Sequence, residues 1–449
     1  MGTLLFKNVH KIVTCNNSDA VLENVNMFVE DGVIKSLNSE ENSADVVVDG
    51  KDLIVYPGLI NTHHHLYQIL TRNLPQVQNL ELFDWLNVLY EIWKNLTEDS
   101  IYYSSMSGLS ELAKYGCTTV FDHHYVFPEN SENFIERQFE AAEDLGIRMV
   151  SSRGSMDLSK KDGGLPPDSV VQSIDAIMRD SERIVKKFHN PEKYSMNQVV
   201  LAPCSPFSVT ADLMIESAKL ARDLGVRLHT HLAETKDEEN FTLSQRGVRP
   251  LEYMRQLGWL GDDVWFAHGI HFNNEELKVL TETKTGVAHC PCSNMKLSSG
   301  VARVPEMLNL DVPLGLAVDG SASNDGSSML EEIRVAYLLH RLTYHDKAPT
   351  GYDILKMATR GSARLLGRKD IGYLAEGMAA DFFAVDKNRL EIAGATFDVK
   401  SMLGTVGIKA PVDYTVVNGK VLVDKGELVG VDEEELSMKV YQESKRMQF

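Results

Sequence analysis

Four short apolar runs, far apart in this chain, each carry a histidine or an aspartate at or near the C-terminal tip. They are Leu59 to His65, Leu228 to Glu234, Val264 to His268 and Leu314 to Gly320. Between them the sequence changes to helical spacing, as in Leu82-Phe83-Asp84-Trp85-Leu86-Asn87-Val88-Leu89-Tyr90. Strands alternating with helices imply parallel βα units. When such units close into a (β/α)8 barrel, the C-terminal strand tips meet on one face, which is where residues distant in sequence converge. That repeat restricts the fold more than any other feature of the chain.

The first run carries His63-His64-His65. Side chains alternate along a strand, so His63 and His65 share one face and His64 takes the other. Two imidazoles at a strand end can hold one metal, and neutral imidazole suits zinc or ferrous iron. Three histidines in a row are also compatible with mere packing. The later tips, His231-Leu232-Ala233-Glu234, Ala267-His268 and Val318-Asp319-Gly320-Ser321, turn the run into part of a set.

On those four motifs the chain resembles the amidohydrolase superfamily, in its purine and triazine aminohydrolase branch, over nearly its whole length. The resemblance implies a TIM-type barrel with a small β-sandwich domain formed from both termini. It also implies one divalent metal, Zn2+ or Fe2+, held by His63, His65, His231 and Asp319. Such an ion lowers the pKa of a bound water from ~15.7 toward ~7. Glu234 would then move the water proton to the leaving amine, His268 would steady the attacking water, and Asp319 would both ligate and accept a proton. Members with two metals carry a carboxylated lysine at the fourth strand tip. This chain has Ala202-Pro203-Cys204 there, so one metal is expected.

The resemblance extends to substrate. Gln68 matches the glutamine that reads a ring edge in guanine and triazine deaminases, an amide with both donor and acceptor. Guanine deaminases have Pro-Arg where this chain has Pro203-Cys204. The stretches 61–68, 153–156, 163–168, 202–209 and 319–326 together are similar to the 8-oxoguanine deaminase group. What this implies is hydrolysis of an amino-substituted purine-like ring, with Cys204, Tyr125 and Trp85 as further substrate contacts. Hydroxytriazine, guanine and isoxanthopterin deamination are alternatives. An inactive scaffold is a different class of reading, but such proteins lose ligands and this chain keeps them all. Relatives of the branch suggest a homo-oligomer.

The bulk numbers exclude other partners. A formal charge of −19 argues against a nucleic-acid backbone. No apolar run approaches ~18 residues, so no membrane span is expected. The amino terminus has no secretory pattern, and five cysteines, an odd number, fit reduced thiols in the cytoplasm.

The organisation expected is residues 1–57 and 370–449 in the β domain, the latter ending in a helix from Asp432, with 58–369 as the barrel. Asp31-Gly32 and Asn418-Gly419 each sit between alternating apolar residues, as hairpin turns do, and Ala379 to Val385 is a strand re-entering that domain. Ile101 to Tyr115 is a helix. The stretch 157–167, rich in lysine and glycine, is a loop and candidate lid.

The other polar residues have blander readings. His229 is a deeper core or supporting histidine, His64 packs on helices, and His271 and His289 are structural. His10, His189, His340 and His345 are expected at the surface, as are the carboxylates of Asp381, Glu331 and Glu332. His123 and His124 flank the mouth, one of them a candidate substrate contact. His289-Cys290-Pro291-Cys292 invites a zinc-deaminase reading, but those sites need Pro-Cys-x-x-Cys. A structural turn is the reading kept.

Overall fold

The computed structural model describes residues 2–129 and 131–448. The chain begins with β1 (Thr3–Val13), β2 (Val21–Glu30), β3 (Val33–Ser36), β4 (Val46–Asp49) and β5 (Leu53–Pro57). It then enters the barrel: β6 (Leu59–Asn61), β7 (Cys117–Asp122), β8 (Arg148–Ser155), β9 (Asn197–Pro203), β10 (Arg227–Leu232), β11 (Val264–His268), β12 (Gly286–His289) and β13 (Leu314–Leu316). Four strands return to the first sheet, β14 (Phe382–Asp386), β15 (Tyr414–Val417), β16 (Lys420–Asp424) and β17 (Glu427–Leu428).

The eight barrel strands pair in sequence order and in parallel. The last meets the first through Thr62 N–H to the Leu316 carbonyl (3.3 Å) and Asp319 N–H to the His63 carbonyl (3.0 Å). The fold is therefore the expected (β/α)8 barrel with an attached β domain. Inside it, Ile60, Phe121, Val150, Val200, Trp265, Ala288 and Ala317 fill the lower layer with apolar bulk.

The attached sheet is one hydrogen-bonded path of strands from both chain ends, in which β14 runs antiparallel to β5 from Phe382 opposite Pro57 to Asp386 opposite Leu53. It curls until its two hairpin turns approach each other, with Ala380 N–H donating to the Gly32 carbonyl (2.8 Å) and Gly419 N–H to the Ala380 carbonyl (3.1 Å). Phe6 from one end packs edge-on against Phe382 and Tyr414 from the other.

Some boundaries differ from the sequence reading for identifiable reasons. The second long helix starts at Glu98, not Ile101, because Thr97 and Ser100 cap each other's backbone N–H groups (3.3 and 3.2 Å). The first barrel strand ends at Asn61, before the histidines, where the Asn61 side chain turns to accept from Val318 N–H (3.0 Å). The re-entering strand begins at Phe382, since Ala379 forms only an isolated bridge to Val33.

Three residues expected at the surface are buried. Asp381 makes a two-pronged pair with the buried Arg148 guanidinium (3.0 and 3.0 Å), joining the barrel to the β domain. Glu332 lies inside, where its carboxylate accepts from the Cys292 N–H just past β12 (3.2 Å) and from the Asn324 amide (2.5 Å). His340 lies on the inner face of the helix Met329–Tyr344 and meets His289 at 3.2 Å. Among the described residues, no helix is long and apolar enough to cross a membrane.

Candidate metal centre and active site

The tips of β6, β10, β11 and β13 bring the predicted set together. His63, His65, His231, Glu234, His268 and Asp319 are all buried within one cluster. Ala233, His268 and Asp319 adopt left-handed backbone (φ 54°, 72° and 63°), conformations costly for residues with a Cβ. Surrounding hydrogen bonds hold them: the Glu238 carboxylate accepts from both Ala233 and Glu234 N–H (2.9 Å each).

Hydrogen-bond partners assign the imidazole tautomers. His65 Nδ1 faces the His123 carbonyl (2.7 Å) and His231 Nδ1 faces the Cys204 carbonyl (2.6 Å), so both must donate there. His229 Nδ1 donates to the Trp265 carbonyl (2.9 Å), which leaves its Nε2 to accept from His63 Nδ1 (2.8 Å). The Nε2 atoms of His63, His65 and His231 therefore carry lone pairs. His65 Nε2 and His231 Nε2 lie 3.1 Å apart. Asp319 Oδ1 lies 3.3 Å from the Nε2 atoms of His63 and His65. His63 Nε2 is buried with no hydrogen-bond partner among the described residues. Three lone pairs and a carboxylate oxygen converging without a proton between them fit a divalent cation.

Electrostatics agree with that use. Burial pushes the His63, His65 and His231 imidazoles below their ordinary value and so keeps them neutral, the form in which an imidazole can bind a metal. Burial opposes ionisation of Asp319, but the imidazoles packed around it, His63 first and then His268 and His65, hold its carboxyl well below the usual range. Ser293 Oγ (2.6 Å) and Gly320 N–H (2.7 Å) donate to that carboxylate and fix it.

Glu234 and His268 sit alongside. His268 Nε2 is 3.5 Å from Glu234 Oε2 and 3.9 Å from Asp319 Oδ2, while its Nδ1 bonds to Asn294 Oδ1 (2.9 Å). Burial raises the Glu234 carboxyl, partly countered by the charge of His268. Burial lowers the His268 imidazole, but the Glu234 and Asp319 charges outweigh it and the net shift is upward. An acid and a base brought toward each other in this way can trade a proton.

A cavity opens onto this cluster. Its lining includes His65, His231, Glu234, His268 and Asp319, together with Gln68, Trp85, Tyr125, Cys204 and Phe207. Gln68, in that lining, accepts through Oε1 from Ala322 N–H (3.3 Å). Gly320 is needed here, because a Cβ would lie 1.9 Å from Gln68 Oε1. Trp85 Nε1 is a buried donor with no hydrogen-bond partner among the described residues. Burial pushes the Cys204 thiol up to about 12, so the sulfur faces the cavity as a neutral group.

The two mouth histidines are placed differently from expectation. Neither lines the cavity. The His123 backbone carbonyl accepts from His65, and its ring bonds the Ala202 carbonyl (2.8 Å) and stacks on His231 (4.8 Å between centroids). His124 bonds the Val126 carbonyl (2.9 Å) and packs on Phe127. The 157–167 loop does not reach the lining either; Asp157 ties it to Thr210 (2.7 and 2.5 Å). Sequence reading misses Asn294, Ser293 and Glu238, the partners that aim His268, Asp319 and the Glu234 segment. The Ser293-Asn294 pair, just past the seventh barrel strand, is visible in sequence only as part of a turn.

The amidohydrolase family model matches residues 54–422, spanning every element of this site. The chain belongs to the amidohydrolase family. It is a hydrolase acting on carbon–nitrogen bonds. It is 44% identical to an 8-oxoguanine deaminase of Pseudomonas aeruginosa over 96% of each chain. It is 42% identical to a hydroxydechloroatrazine ethylaminohydrolase of Pseudomonas sp. strain ADP, covering 97% of this chain and 94% of that one. Its fold superposes on an atrazine chlorohydrolase from Arthrobacter aurescens TC1, solved with zinc, with a TM-score of 0.94 at 31% identity, covering 98% of this chain and 100% of that one.

Proposed function

We propose that this amidohydrolase removes the exocyclic amino group of 8-oxoguanine by hydrolysis, giving urate and ammonia. The observation that carries the hydrolytic reading is the convergence of three imidazole lone pairs and Asp319 beside the Glu234–His268 pair. The purine assignment is supported by the 44% identical deaminase and by the presence of Gln68 and Trp85 in the cavity lining.

His63, His65, His231 and Asp319 would hold one divalent ion, zinc in preference to ferrous iron. When bound, it supplies the Lewis acidity that ionises water at neutral pH. Glu234 takes the proton of the attacking water, and His268 hydrogen-bonds that water while Asn294 fixes its ring. Glu234 then protonates the amino nitrogen at the tetrahedral carbon of the ring, and ammonia leaves. Gln68 and Trp85 donate to ring nitrogen and oxo acceptors and so orient the amino-bearing carbon. Cys204 and Tyr125 close the sides, the Tyr125 ring standing edge-on to His65 at 5.1 Å.

The cavity as it stands is narrow, about 30 Å³, the scale of one water rather than a ring. Binding a ring therefore requires the side chains of the lining to move apart. The five cysteines are unpaired, as suits the cytoplasm.

A second reading rests on the 42% identity to the triazine aminohydrolase: a hydroxytriazine with an N-ethylamino group. Ammonia or ethylamine release from 8-oxoguanine, guanine, isoxanthopterin and N-ethylammeline tests the choice. 8-Oxoguanine should have the highest kcat/KM. Faster turnover of N-ethylammeline or guanine would reverse the assignment.

A further inference from the structure

We propose a second binding site at the opposite end of the barrel, for a small molecule carrying a diphosphate. It is independent of the catalytic reading. Although the chain carries a net charge of −19, a cleft of about 760 Å³ under the N-terminal ends of β10 to β13 gathers six cationic side chains against one carboxylate, Asp262. Arg360, Arg364 and Arg368 already face Asp19, Asp311 and Asp370. Arg227, Lys284 and Lys369 have no ion-pair partner among the described residues.

Arg227 is the informative member. Its guanidinium is anchored to backbone carbonyls, those of Leu365 (2.8 Å) and Asp262, rather than to a carboxylate. The neighbouring Asp263 is committed to Arg222 (2.9 Å). Gly367 (φ 69°) makes room for the guanidinium, since a Cβ there would lie 2.7 Å from Arg227 Nη1. A positioned guanidinium with positive charge left over is what phosphate oxygens recognise in two-pronged fashion. The floor is apolar, with Leu365 and Ile371, and Tyr373 supplies an aromatic wall, so a ring attached to the phosphates can be accommodated.

The placement also links the two ends. Arg227, Val264 and Gly286 are the first residues of β10, β11 and β12, and Pro313 directly precedes β13. His231, His268 and Asp319 lie at the far ends of three of these strands.

The test is calorimetric titration of the holoenzyme with inorganic diphosphate, ADP and adenosine at about 0.15 M salt. Diphosphate and ADP should bind with Kd below about 1 mM, adenosine should not, and Lys284→Glu/Lys369→Glu should weaken both by about tenfold. These two lysines are exposed, so a far-UV spectrum and Tm close to wild type are expected of the double variant. Glu234→Gln should bind diphosphate like wild type. Absence of anion binding at about 1 mM, binding unchanged in the double variant, or binding lost in Glu234→Gln would each overturn the proposal.

Discussion

His65 Nε2 and His231 Nε2 face each other at 3.1 Å while both rings donate through Nδ1 to backbone carbonyls. Neither Nε2 can be protonated at no cost, because burial disfavours the imidazolium in both rings. Two lone pairs at that separation repel unless a cation lies between them. Removing a bound ion with a chelator should therefore destabilise the fold. At free ion about 1,000-fold above its dissociation constant, the linkage is worth about 4 kcal/mol. Differential scanning calorimetry should show a lower Tm after chelation and recovery on adding zinc; an unchanged Tm would mean the pair is satisfied in some other way.

In the proposed mechanism Glu234 carries a proton from water to the leaving amine. Glu234→Gln keeps the shape and removes the base, so kcat should fall by about 10²–10⁴ with metal content and Tm retained. A rate within a few-fold of wild type would remove Glu234 from the mechanism.

Asn294 acts through His268. Its Oδ1 accepts from Nδ1 at 2.9 Å and so presents Nε2 to Glu234 and Asp319. Asn294→Ala should lower kcat by about 10–100-fold with little change in KM, and Asn294→Asp, which keeps the acceptor, should recover part of the loss. Steady-state kinetics of the two variants on the preferred substrate is the check. Equal losses in both would show that Asn294 is needed only for packing.

Acid stability is set in part far from the site. Burial opposes ionisation of Asp370, but hydrogen bonding and charge from Arg368, Tyr194 N–H and the charge of Arg148 bring its carboxyl down to about 2. Its folded pKa is thus below the unfolded value of about 3.9. The resulting stability is fully present above about pH 4 and is lost as the pH falls toward 2. Urea unfolding between those limits should be less pH-dependent in Asp370→Asn than in wild type. Parallel profiles would assign the acid loss to other groups.

The barrel and the residues of the cluster are legible in the sequence because strand tips in a βα repeat must converge, and His63, His65, His231, His268 and Asp319 each follow an apolar run. What stays hidden is pairing across elements. Asp381 reads as a hairpin carboxylate, yet Arg148, 233 residues earlier, meets it inside the protein. His340 reads as a polar residue on an exposed helix, yet it shares a buried contact with His289. His123 and His124 follow a strand as the proposed ligands do, but one supports His65 through its backbone and the other turns into the wall. Periodicity reports which face a residue occupies, not which partner from another element will meet it there.

Elemental analysis beside turnover tests the central claim most directly. Protein purified without added metal should contain about one divalent ion per chain, and activity should scale with its occupancy. His231→Ala should lose the ion, whereas Glu234→Gln should keep it. A metal-free preparation that deaminates at the wild-type rate would contradict the account.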